Sequence, residues 1–279
     1  MSSKGTRIAN NFNSPLSNIQ VGKSRFKAPR YPVVLCHVQV SSATKNLESQ
    51  IFQNSKLIIG GAYQLIKNAL EALGVEVIVT SVPPCSTIEE RAKCLEKQLR
   101  EVLKFRDFSL VGHSMGGLDC RFVISHLSRQ LNVRSLTTIS TPHRGSSFMD
   151  WCYENVDRNL VESTLRGLAI DVRGFQNLTT KFCKDVFNPQ TQDNKNVLYF
   201  SYGASPSKFN QLSVLALSHK IIKLREGSND GMVSIKSSEW GQYLGTLDAE
   251  HFCLRKQNKY FDVKNLYSTI VDHLNKQGF

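Results

Sequence analysis

Short apolar runs alternate with amphipathic stripes along most of this chain, and that alternation admits few architectures. Pro32-Val33-Val34-Leu35-Cys36 reads as a buried strand. So do Val75 to Thr80, Phe108 to Val111, Ser135 to Ser140 and Val197 to Tyr202, with Tyr243 to Leu247 as the last. Helical stripes lie between them. Leu65, Ile66, Ala69, Leu70 and Leu73 share one face, and Gly74 stands just past its end. Ser86-Thr87-Ile88-Glu89 has the pattern of a capping box, opening a helix with the stripe Ile88, Ala92, Leu95, Leu99 and Val102. Leu118, Phe122, Val123, Leu127 and Leu131 stripe another. Val263, Leu266, Tyr267, Ile270, Val271 and Leu274 mark a final helix. Strands alternating with such helices predict an α/β fold, a mostly parallel sheet with helices on both faces. Residues 143 to about 196 break the rhythm between two strands. An insertion there would lie over the carboxyl ends of the strands, where ligands bind. It is a candidate lid, with a peripheral helical decoration as the alternative.

Charge divides the chain. The formal net charge is +12, and the first acidic residue is Glu48. Lys4, Arg7, Lys23, Arg25, Lys27, Arg30 and Lys45 precede it. Residues 1–30 therefore read as a basic, disordered head, and residues 31–279 as one domain. The head has the composition of a mitochondrial transit peptide, although Pro15 and Asn10-Asn11-Phe12-Asn13 interrupt any amphipathic helix. A plain basic tail is the alternative, in the cytoplasm or at a lipid surface. Such a head would favour peripheral contact with anionic membrane or lipid-droplet surfaces. No fold motif accompanies the charge, so nucleic acid is not an expected partner. No run approaches 18 apolar residues, so no transmembrane segment is expected. The seven cysteines form no CxxC pair and no zinc spacing, and read as free thiols of a reducing compartment.

The chemistry centres on Gly112-His113-Ser114-Met115-Gly116. A strand leads into it and an amphipathic helix leaves it, the setting in which G-x-S-x-G forms a nucleophile elbow. The glycines leave room for the tight turn, and the turn lifts the hydroxyl above the sheet edge at the positive end of a helix. A serine hydroxyl needs a base to take its proton. On this fold the chain order is serine, acid, histidine. His37 precedes Ser114, at the end of a strand, and suits an oxyanion loop. His113 sits within the elbow and is expected to point elsewhere. His126 and His273 lie in helices, and His143 comes one strand early. Of His143, His219 and His251, the last follows the final strand in a loop, where the base belongs. Asp230, in Ser228-Asn229-Asp230-Gly231, is the candidate acid, since Asp248 and Glu250 lie too near His251 in sequence. An ordinary surface turn is the other reading of that segment.

Several stretches resemble fungal triacylglycerol lipases related to the yeast mitochondrial lipase. They are residues 112–121, Leu136 to Ser146, Ser86 to Ala92, Ser201-Tyr202-Gly203 and Asn229-Asp230-Gly231-Met232-Val233. The resemblance implies the α/β-hydrolase fold, with Ser114 as nucleophile, Asp230 as acid and His251 as base. It also implies an oxyanion hole from the Met115 N–H and a loop N–H at Gln39. One segment departs from the family. After His37 the family has Gly, whereas this chain reads Val38-Gln39-Val40, and residues 38 to about 60 do not resemble it. A divergent loop and a splice-junction error in the sequence both account for this. Cys253 stands where bacterial relatives place a calcium-binding Asp, so no metal is expected, nor any cofactor. The resulting expectation is a serine hydrolase of lipid esters, triacylglycerol foremost. A phospholipase or short-chain esterase is one alternative. An impaired hydrolase-like protein that binds lipid or a partner is another, and the same triad would also suit an amidase or thioesterase.

Overall fold

The computed structural model describes residues 26–38, 61–82, 87–155, 174, 176–255 and 257–279. Six strands form one sheet: β1 (Val33–Val38), β2 (Val77–Val82), β3 (Asp107–His113), β4 (Asn132–Ile139), β5 (Leu198–Ala204) and β6 (Gln242–Leu247). Their order is β2-β1-β3-β4-β5-β6, and every neighbouring pair runs parallel. The expected α/β-hydrolase architecture is therefore the observed one. The order reverses between β1 and β3, which opens a crevice at their carboxyl ends. β1 stays paired with β2 through Val38↔Val82, but its pairing with β3 ends at Cys36↔Gly112.

Alternation along the strands feeds two apolar layers. Val33 and Leu35 of β1 face helices α1 (Gly61–Glu71) and α6 (Val263–Lys276). Val34 and Cys36 face α2 (Ile88–Leu103) and the helix after the elbow, α3 (Met115–Phe122). All six residues of the α6 stripe are buried, each contributing roughly 1.5–3 kcal/mol. Asp262 starts this helix by accepting hydrogen bonds from the N–H groups of Lys264 and Asn265.

Three local expectations shift. The capping box of α2 uses Thr87 and Glu90, one residue later than Ser86 and Glu89. Glu90 N donates to Thr87 Oγ1 at 3.3 Å and Thr87 N to Glu90 Oε2 at 2.9 Å. In the same helix Val102 is 53% exposed and Leu103 is buried, because a 3.6-residue period lets Leu99 continue at either position. Leu65 of α1 faces solvent, and Tyr63 joins Ile66 and Leu70 inside. Pro83-Pro84, Ser86 and Cys85 lie outside the described residues, as does most of the basic head.

Within 143–196 the described parts are helical: α4 (Ser147–Asn155) and the short turns Thr180–Phe182, Cys183–Phe187 and Asn188–Gln190. They share a third apolar cluster with α5 (Ala216–Arg225), built on Phe148, Met149, Leu178, Phe187 and Ile222. Met115 and Leu118 of the elbow helix belong to it too, so the insertion packs beside Ser114. The six cysteines among the described residues are free thiols. No helix among the described residues is long and apolar enough to cross a membrane.

Candidate active site

The elbow forms as its sequence dictates. Ser114 caps α3 at φ 56° and ψ −130°, a left-handed conformation rare for a side-chain-bearing residue. Neighbours hold it there. Ser114 N donates to Ile139 O on β4 at 3.0 Å, and Gly117 N donates to Ser114 O at 3.1 Å. The glycines are steric necessities. A Cβ on Gly112 would stand 2.8 Å from Gly117 Cα, and one on Gly117 would stand 2.1 Å from Thr141 Oγ1. Met115, as the first residue of α3, carries an N–H that has no acceptor within the helix, at the helix's positive end.

Two loops bring the partners. Gly231 turns at φ +100°, and a Cβ there would meet Leu215 Cβ at 2.8 Å. Asn229 Oδ1 accepts from Gly231 N at 2.9 Å and closes the turn. This delivers Asp230, fully buried, with Oδ1 accepting from Met232 N at 2.9 Å and Val233 N at 2.8 Å. Oδ2 is left for His251 Nδ1 at 2.7 Å. His251 follows β6, and its own N–H donates to Asp230 O at 3.0 Å. On the far side of the ring, Nε2 stands 2.9 Å from Ser114 Oγ. Ser114, His251 and Asp230 thus form one hydrogen-bonded chain. Ser114 is half-buried and the other two are shielded from water.

The remaining histidines are placed elsewhere, with one correction. His113 does not point away from the relay: its ring centroid lies 4.8 Å from that of His251. His113 shares the alternation of Val111, whose face also holds Ala249 and Leu254 from the His251 loop. His143 is buried under Thr138, Arg121 and the Trp240 ring, and burial pushes its pKa well below the usual value. His219 stacks on Phe209, and His273 packs edge-on to Phe200. Of the rival acids, Asp248 accepts from Ser207 and Glu250 from Ser213, away from the histidine ring. Gln39 lies outside the described residues, as does the loop that departs from the family.

Two buried arginines brace the elbow, and neither was singled out in the sequence. Arg91 of α2 grips Asp119 of α3, its Nε 3.0 Å from both carboxylate oxygens and Nη2 2.9 Å from Oδ1. Burial raises the Asp119 pKa, against the opposing pull of Arg91. Arg121 lies over the Trp240 ring at 3.6 Å and donates to Asn188 Oδ1 at 2.9 Å and Thr191 O at 3.1 Å, tying α3 to the insertion. Burial lowers its pKa to about 10. The only sequence signal was that Arg91, Asp119 and Arg121 all fall within stretches that resemble the lipases.

Comparison with known proteins bears on the fold and the family. The model of the palmitoyl protein thioesterase family matches residues 32–266. Triacylglycerol lipase 2 of Saccharomyces cerevisiae is 38% identical over 247 residues, 77% of this chain and 73% of the yeast protein. A triacylglycerol lipase of Burkholderia plantarii is 30% identical over 162 residues, covering 55% of this chain and 42% of its own. Among solved structures, the mature Bacillus licheniformis lipase BlEst2 superposes with a TM-score of 0.66 at 22% identity, over 86% of this chain and 92% of that one. The chain belongs to the palmitoyl protein thioesterase family and is related to the fungal triacylglycerol lipases: it is a carboxylic ester hydrolase with the α/β-hydrolase fold.

Proposed function

We propose that the protein hydrolyses carboxylic esters of lipids, triacylglycerol foremost, through an acyl-enzyme on Ser114. Ser114 Oγ attacks the acyl carbonyl as His251 Nε2 takes its proton. The carbonyl oxygen becomes an oxyanion facing the Met115 N–H and a second N–H from the segment at Gln39. The tetrahedral intermediate collapses, His251 returns the proton to the leaving alkoxide, and an alcohol departs. Water, deprotonated by His251, then attacks the acyl-serine. The fatty acid leaves and Ser114 recovers its proton. Asp230 fixes the histidine tautomer and stabilises its cation. The observation that carries this reading is the relay from Asp230 through His251 to Ser114, with contacts of 2.7 and 2.9 Å. The lipid substrate is supported by the relatives' names and by the apolar cluster beside Met115, over which the insertion at 143–196 would act as a lid.

A fluorophosphonate probe tests the chemistry. Labelling that vanishes in Ser114→Ala is expected, with release of fatty acid from emulsified triacylglycerol by the wild type alone. A folded wild type that resists the probe would favour the impaired, lipid-binding alternative. The thioesterase family match favours one second reading, cleavage of long-chain S-acyl thioesters by the same residues. Comparing kcat/KM for matched oxygen and thiol esters decides between them.

A further inference from the structure

We infer that the crossover from β5 to α5 is a docking face for an anionic lipid surface, built onto the loops that carry Asp230 and His251. Four of the eleven large apolar side chains exposed among the described residues lie in this crossover and its helix. Leu212 is 93% exposed, Val214 78%, Leu217 54% and Leu224 79%. Leu217 and Leu224 stand seven residues apart on one helical face, with exposed Lys220 between them. From Ser205 to Arg225 there is no acidic residue, while Lys208, Lys220, Lys223 and Arg225 are basic. Arg225 is bound to Glu154, whereas Lys208, Lys220 and Lys223 belong to no ion pair among the described residues. Exposed aliphatic side chains among exposed lysines match the two attractions a bilayer surface offers, apolar insertion and negative charge.

The face is fixed to the site. Ser207 N and Oγ donate to Asp248 at 2.6 and 3.0 Å, and Ser213 Oγ donates to Glu250 at 2.9 Å. Asp248 and Glu250 immediately precede His251. Inward, Phe209 and Leu215 close on Gly231, next to Asp230. Leu212 and Val214 therefore project from the outer side of a loop whose inner side braces the acid and the base. A lipid surface engaged there lies against the loop that braces the acid and the base. This rests on the lipid-ester reading, but it is measured without catalysis.

The test is partition of the full chain onto vesicles of phosphatidylcholine alone, and of phosphatidylcholine mixed with phosphatidylserine. The wild type is expected to prefer the anionic vesicles. Leu212→Ser with Val214→Ser should lower partition at least about tenfold, because each removes exposed aliphatic surface. Lys220→Gln with Lys223→Gln should lower it roughly fivefold per lysine on anionic vesicles only. Val102→Ser with Phe105→Ser, at the far end of α2, should leave it unchanged. Turnover of a soluble short-chain ester should be equal in all of these, and its absence from the wild type would count against the hydrolase reading alone. Wild-type partition by Leu212→Ser/Val214→Ser, no vesicle binding by the wild type, or an equal loss in the α2 control would overturn the proposal. So would concentration-dependent self-association that these two serines abolish, which would assign the face to a second copy of the chain.

Discussion

Replacing Arg91 with Met would leave the Asp119 carboxylate buried beneath the elbow without its counter-charge. The two side chains are 0% and 1% exposed, so water cannot substitute. Opposite charges about 4 Å apart attract by about 4 kcal/mol at an effective dielectric of 20, and breaking a buried pair from one side costs about 3–5 kcal/mol. Arg91→Met should lose that much in urea unfolding at neutral pH. The pair also carries a desolvation cost: burial, not Arg91, sets the direction of the Asp119 shift. Removing both charges should therefore restore stability, and Arg91→Met/Asp119→Leu is expected within about 1 kcal/mol of the wild type or above it. A raised carboxylate pKa means the native state holds a proton that the unfolded chain has lost. Its stabilising effect is then full at low pH and declines as pH rises above 3.8 toward the folded value. Without Arg91 that decline extends further upward, so Arg91→Met should be less damaged near pH 5 than near pH 8. A single loss under about 1 kcal/mol, or a double loss equal to the sum of the two singles, would refute the argument. Soluble-ester turnover by the double variant then shows whether the pair also positions Ser114.

Gly117→Ala forces a methyl onto Thr141, whose Oγ1 and Cγ2 would lie at 2.1 and 2.7 Å, and should cost about 1–3 kcal/mol along with turnover; Gly117→Ala/Thr141→Ala should recover only part of each, because the β-carbon at 141 would still lie at 2.9 Å. Asp230→Asn should fold, since Oδ1 can still accept from Met232 and Val233, yet lose roughly 10⁴ in kcat; a loss below tenfold would remove Asp230 from the relay. Gln39→Pro deletes one backbone N–H and should cut kcat roughly 10²–10³-fold with soluble esters, while an unchanged kcat would exclude that N–H from the oxyanion hole. Burial depresses the His143 pKa, so the unfolded chain binds this proton first. Stability should be full above pH 6.5 and fall below it by about 1.4 kcal/mol per pH unit per proton, a slope that urea titration of His143→Gln should find reduced by one proton.

Legibility in the sequence followed periodicity. The α6 stripe was readable because it packs on a single sheet face and every position obeys one period. The α2 cap slipped by one because Ser86…Glu89 and Thr87…Glu90 both satisfy the same pattern, and only the hydrogen bonds choose. Arg91 stayed hidden within Glu89-Glu90-Arg91, which locally looks solvated. Its partner lies 28 residues away and declares itself only when α2 and α3 pack. Ser114, Asp230 and His251 were legible from chain order, since a parallel sheet presents its loops in sequence along one edge. The His113 contact was not, because it depends on which face of β3 the final loop descends. The segment at Gln39 has no periodicity to read at all.

The way β1 ends separates what this chain can vary from what it must keep. The strand is anchored on the β2 side through Val38, while its last two residues no longer pair with β3. The pairing with β3 is complete at Cys36, and only Val38 of the divergent segment pairs with β2. Substitutions beyond residue 38 therefore touch none of the described pairings of β1. Drift in that stretch thus leaves the register of β1, and of the sheet that carries Ser114, as it is.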